Sequence, residues 1–150
     1  MKLLQQLIYG LILSFSAGSV LALDAVNTPW YSNVAIEGYD PVAYFVEGKP
    51  VEGSKSHQLT WSGAAWHFKS AENKALFEGD PEKYAPQYGG YCAWAASQNT
   101  VAGIEPDQWT IVDGKLYLNY NEEIKGKWLV DTTKYISDGD KNWPGLLTSN

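Results

Sequence analysis

The chain of 150 residues carries a formal net charge of −6, and apart from its two histidines every basic residue is lysine. Acidity without the bidentate guanidinium fork argues against nucleic acid and anionic membrane surfaces as partners. One cysteine, Cys92, permits no disulfide within the chain, and the length suits one domain with a core large enough to stand on packing alone.

In chain order, Lys2 precedes an apolar stretch from Leu3 to Leu13 that ends in small residues, with Val20-Leu21-Ala22 before Asp24. Charge, apolar core and small residues in that order predict a signal peptide over 1–22, cleaved after Ala22. The apolar stretch is shorter than the about 20 residues of a spanning helix. The mature protein is therefore expected in the periplasm or secreted, without stable membrane insertion after cleavage. An uncleaved anchor is the alternative.

Residues 23–35 read as an extended lead-in, pinned to the body by Pro29-Trp30-Tyr31. Asp40-Pro41 reads as a cap and first position of a short helix over 42–46. His57, Leu59 and Trp61 alternate with polar residues, as do Trp66 and Phe68, around Ser62-Gly63, which predicts a hairpin. Ser70 caps a helix over 71–78 whose apolar side is Ala71, Ala75, Leu76 and Phe77, and Asp80-Pro81 starts another short helix. Gly89-Gly90 precedes the short apolar segment Tyr91–Ala96. Asp113-Gly114 between alternating strands marks a second hairpin. Asn119 or Asn121 caps a C-terminal helix from Glu122, and 138–150 reads as a partly ordered tail anchored by Trp143. The expected fold is a small single α+β domain: two β-hairpins or a short meander packed against several short helices and a C-terminal helix. The two hairpins, each followed by a helix, echo one another in architecture.

Asp40-Pro41-Val42, Trp66-x-Phe68-x-Ser70 and Phe77-x-x-Asp80-Pro81-Glu82-Lys83-Tyr84, in that order, resemble the YHS domain family. Gly38–Phe45 and Tyr88–Trp94 look like its stand-alone exported branch. The resemblance covers about 36–120, gives a YHS-like domain with its C-terminal helix at 36–137, and implies a small α+β fold. The family's metal-binding forms place cysteines where this chain has Ala43, Lys69 and Asn73. None of these replaces a thiolate, so the resemblance implies the fold and not the metal site.

Three groups of residues are candidates for function. The chain is rich in aromatics, with seven Trp and ten Tyr, which could fill a small core, while Tyr39, Tyr44, Trp66, Tyr91 and Trp94 could line a face for a small ligand or a protein partner. His57 and His67, one on each arm of the first hairpin, fall close to cross-strand pairing and could bind copper or zinc with Cys92 or a carboxylate. Alternatively they are exposed polar residues. Cys92 itself reads as a buried small hydrophobe, a metal or haem ligand, or a reactive thiol. No G-x-S-x-G, H-E-x-x-H, C-x-x-C or phosphate loop is present. The leading expectation is a non-enzymatic exported binding module. A metal-handling protein and a small thiol-dependent enzyme are the rivals.

Overall fold

The computed structural model describes residues 22–149 of the chain. The predicted leader therefore lies outside the described residues, apart from Ala22. Among the described residues no helix is long and apolar enough to cross a membrane. The order of elements is a left-handed turn at Ala35–Gly38, α1 (Ala43–Val46), β1 (Ser54–Trp61), β2 (Ala64–Phe68), α2 (Ala71–Gly79) and α3 (Pro81–Tyr84), then a second left-handed turn at Gln87–Gly90, α4 (Ala93–Ser97), β3 (Trp109–Val112), β4 (Lys115–Leu118), α5 (Glu122–Leu129) and α6 (Thr132–Thr148). This is the small α+β architecture expected, with two antiparallel hairpins and a C-terminal helix.

The second half repeats the first, element for element. Both turns hold residues at positive φ: Ile36, Glu37 and Gly38 in the first, Tyr88, Gly89 and Gly90 in the second. Both close with the same bond, Tyr39 N–H to the Ile36 carbonyl at 2.9 Å and Tyr91 N–H to the Tyr88 carbonyl at 3.0 Å. Next comes a buried residue before a short helix, Asp40 or Cys92, whose N–H donates to a returning loop at Val51 or Ala102. Both hairpins turn on two residues at positive φ, Ser62-Gly63 and Asp113-Gly114, which matches the twist of the flanking strands. Ser70 and Asn121 cap α2 and α5 through their side-chain oxygens, accepting from Asn73 and Ile124. Asp80 and Asp131 start α3 and α6 from nearly the same backbone angles.

Packing explains why the hairpins hold. Trp66, Phe68 and Phe77 are fully buried, and Trp66 stacks on Phe77 with ring centroids 5.0 Å apart, while Trp61 meets both. Removing one such ring costs about 3–5 kcal/mol. Tyr117 and Trp128 form the corresponding centre of the second unit, 5.1 Å apart. Leu116 and Leu118 of β4 enter the first core, so the two units share apolar surface. Residues 33–34 extend the first sheet: Asn33 accepts from Ala65 N–H at 2.8 Å and Val34 pairs with Ala65 in parallel.

Four expectations need correction. The C-terminal region is two helices, because Asp131 breaks the run and caps α6 through Lys134 N–H, and 138–148 is helical and not a partly ordered tail. The apolar side of α2 reduces to Phe77 with Asn73, since Ala71, Ala75 and Leu76 face solvent. Pro29-Trp30-Tyr31 does not pin the lead-in, because Trp30 is 96% and Tyr31 73% exposed. Val34 and Asn27 hold it instead, Asn27 through bonds to Gly89 and Gly90.

Candidate functional site

The five aromatics proposed as one ligand face do not form one. Tyr44 and Trp66 are core residues: the Tyr44 hydroxyl donates to the Pro106 carbonyl at 2.6 Å, and the Trp66 indole donates to the Trp61 carbonyl at 3.0 Å. Burial pushes the Tyr44 phenol far above its ordinary range, with Tyr39 the next contribution. The buried Tyr91 donates to the Asp24 carbonyl and tethers the lead-in. Half-buried Trp94 meets Tyr135 of α6 edge-on at 4.7 Å. Tyr39 is half-buried and bridges to Glu52. Each ring serves a different packing contact.

His57, His67 and Cys92 are not brought together either. The ladder pairs His67 with Gln58, not His57, because the two-residue turn at Ser62-Gly63 sets Trp61 opposite Ala64 and so Gln58 opposite His67. His57 then falls on the inner face with Leu59 and Trp61, and His67 on the outer face. Cys92 is buried elsewhere, its thiol donating to Asn119 Oδ1 at 3.5 Å. Burial raises its pKa, although the N–H groups of Ala95, Tyr120 and Trp94 act against that. Such a thiol is a poor nucleophile at neutral pH. Among the described residues no three His, Cys, Asp or Glu side chains could share a metal ion.

The three positions that carry cysteine in the family's metal-binding forms do meet, around Asp40. Its buried carboxylate accepts from the N–H of Val42 (2.8 Å), Ala43 (3.3 Å) and Lys69 (2.9 Å) and from Asn73 Nδ2 (2.8 Å). Ala43 offers no side-chain donor atom, and the Lys69 ammonium turns outward to Glu47 at 2.6 Å. Those positions do not fit a metal. They form a hydrogen-bonded clasp that ties α1, β2 and α2 together.

The outer face of β2 holds a more useful arrangement. A groove of about 280 Å³ lies between the lead-in and the first turn, lined by Tyr31, Ser32, Glu37, Gly38 and His67 with Pro29 and Val34. His67 is fixed from two sides. Gly53 crosses β2 so closely that a Cβ there would overlap the His67 backbone, and Gln58 Oε1 lies 3.0 Å from Nε2. A carbonyl oxygen only accepts, so Nε2 carries the proton and Nδ1 keeps its lone pair. That Nδ1 faces Gly38, where a Cβ would stand 3.4 Å away. Burial and then Lys55 lower the His67 pKa below the ordinary 6.5, which keeps the ring neutral at neutral pH. Glu37 is the one charged residue of the lining.

Glu37 sits at φ 52°, ψ 26°, a conformation that disfavours side chains other than glycine, Asn and Asp. Its counterpart in the second turn is Gly89, at φ 60°. That turn is closed: a Cβ on Gly89 would overlap the Ala25 carbonyl, and Asn27 N–H donates to the Gly89 carbonyl at 2.8 Å. The first turn keeps a costly carboxylate beside an open groove. Sequence reading identified His67 but missed Tyr31 and Glu37. Aligning Glu37-Gly38-Tyr39 with Gly89-Gly90-Tyr91 would have shown a glutamate in a glycine's place.

A larger groove of about 540 Å³ runs along the seam of the two units, past Trp61, Glu82, Lys115, Asp140 and Trp143. Its charges have both signs, and Asp140 is engaged by the Tyr88 hydroxyl at 3.0 Å. Tyr88 on its wall is also at positive φ, but its hydroxyl is spent on Asp140 and the Ile136 carbonyl, whereas Glu37 has no such internal partner among the described residues.

No curated protein and no solved structure matches the chain. The YHS domain family does match, over residues 42–88, which run from the start of α1 to the beginning of the second turn and so cover the first unit alone. The match is to a YHS domain at residues 42–88, and of the groove's lining only His67 falls within it.

Proposed function

We propose that the protein is an exported binding module that holds a small ligand in the groove between the lead-in and the first turn and performs no chemistry on it. The observation that carries this reading is Glu37, a side chain kept in left-handed backbone at the groove wall where the equivalent turn uses glycine. Strain of that kind collects at ligand sites when the surrounding structure over-determines it. The Tyr39 N–H bond to the Ile36 carbonyl and the Gly53 N–H bond to the Gly38 carbonyl brace the turn on either side of Glu37. A few polar groups converging on a concave surface are what orient a small ligand.

The lining supports binding rather than turnover. The Ser32 hydroxyl already accepts from Val34 N–H at 3.1 Å, and among the described residues no hydrogen bond joins it to His67. A nucleophile needs an adjacent base to be activated. Cys92 is remote, buried and raised in pKa by that burial. Export is supported by the leader-like order of residues 1–22 and by a fold that keeps its one thiol buried.

The test is a screen of small charged, neutral and aromatic compounds by amide and side-chain NMR on the mature chain. Saturable shifts confined to Tyr31, Glu37, Gly38 and His67 are expected. Shifts confined to Trp61, Lys115 and Trp143 would move the site to the seam, and a groove silent to every compound would end the proposal.

A further inference from the structure

We infer that the ligand of this groove is a small primary ammonium compound, its cationic head held by the Glu37 carboxylate and the free Nδ1 of His67, with Tyr31 at the rim. This rests on the binding reading above and adds the chemical class. Both polar groups accept hydrogen bonds and neither donates, since a carboxylate is acceptor-only and Nε2 has the imidazole proton. A ligand that satisfies both must bring hydrogen-bond donors, and a primary ammonium brings three. The charge points the same way: Glu37 is the sole charged residue of the lining, and the whole chain is acidic. An anion would meet an uncompensated carboxylate there.

Size and rim agree with the class. The volume of about 280 Å³ is at the small end for ligand pockets, where drug-sized molecules need more. Tyr31 exposes 73% of its surface beside the groove, and Trp30 meets it edge-on at 5.5 Å. An ammonium over a tyrosine face gains cation–π attraction, which a neutral or anionic ligand does not. Lys55 is the one cation acting on His67, and it opposes a cationic ligand from β1.

Three near-isosteric probes separate charge from shape: n-butylammonium, 1-butanol and butyrate, titrated into the mature chain and read by NMR shifts at Tyr31, Glu37 and His67. Butylammonium should bind at least tenfold more tightly than butanol, and butyrate should give no saturable shift. Glu37→Gln should weaken butylammonium at least tenfold while leaving the rest of the spectrum in place, because a charge-assisted bond becomes a neutral one. Lys55→Gln should strengthen it. Butyrate or butanol binding as well as butylammonium, or butylammonium unaffected by Glu37→Gln, would overturn the ammonium assignment and leave the groove as a site. If none of the three probes shifts these residues while the broader screen finds a ligand there, the class is wrong; if the screen is silent too, the site is wrong.

Discussion

The two left-handed turns are built alike and used differently. Each leads through a tyrosine to a buried residue and a short helix. The second turn is filled: Gly89 lies under the Ala25 carbonyl, and Asn27 bonds to both glycines. At the first turn the lead-in passes at a distance and leaves a groove with Glu37 on its wall. The fold needs the turn in both places and is satisfied by glycine in one of them. The side chain of Glu37 must therefore be explained by something other than the turn. The residues after the turns differ in the same instructive way. Asp40 receives three backbone N–H groups, from Val42, Ala43 and Lys69, while at the matching place the N–H groups of Trp94, Ala95 and Tyr120 face the sulfur of Cys92.

The largest effect should come from breaking the first clasp. Asp40→Ala leaves four donors without an acceptor, three of them buried, and should cost about 4 kcal/mol in urea unfolding, since each orphaned buried group costs about 1–3 kcal/mol. A loss below about 1 kcal/mol would show that the clasp is not what joins α1, β2 and α2. Next comes the closed turn. Gly89→Ala should cost about 3 kcal/mol, from positive φ and from overlap with Ala25, and should free the lead-in to rapid proteolysis. Unchanged protease resistance would contradict the closure of that turn.

A smaller effect sharpens the parallel between Asp40 and Cys92. Asn119 Nδ2 is buried and has no partner, and Asn119 Oδ1 takes both the Cys92 thiol and the Trp94 N–H. A carboxylate at position 92 would accept from the backbone groups, and the Asn119 amide could turn its free N–H toward it. Cys92→Asp should therefore fold, losing no more than about 2 kcal/mol. A chain that fails to fold would show that the second site cannot act as the first does.

The smallest effect is on pH. The native His67 pKa lies below 6.5, so on acidification the unfolded chain takes up its proton first. Stability should decline as pH falls below 6.5 and level off once native His67 is protonated. Lys55 on β1 is the charged group that acts on it, and Glu37 lines the same groove. His67→Asn should flatten that segment of the profile, and a slope that persists would assign the titration to another group. Butylammonium affinity should fall over the same range as the ring gains a charge.

Much of the fold was legible because its signals are local. Ser70, Asn121, Asp113-Gly114 and the alternation around Trp66 each act through near neighbours in the chain, and each sits where expected. The site was less legible because it depends on what the chain does at a distance. Tyr44 and Trp66 look like ligand-face aromatics in composition, yet only tertiary packing decides that they are core. His57 and His67 miss one another by one residue, because the two-residue turn at Ser62-Gly63 sets Trp61 opposite Ala64. Ile36 and Glu37 have no intrinsic preference for positive φ, so the first turn is invisible until the second is set beside it.

The measurement closest to the central claim is the urea unfolding of Glu37→Gly against the unaltered chain. If Glu37 is kept for the groove at a conformational cost, glycine should relieve the strain and raise stability by about 1 kcal/mol, while butylammonium binding is lost. A variant that is less stable than the unaltered chain, or one that still binds, would contradict the account.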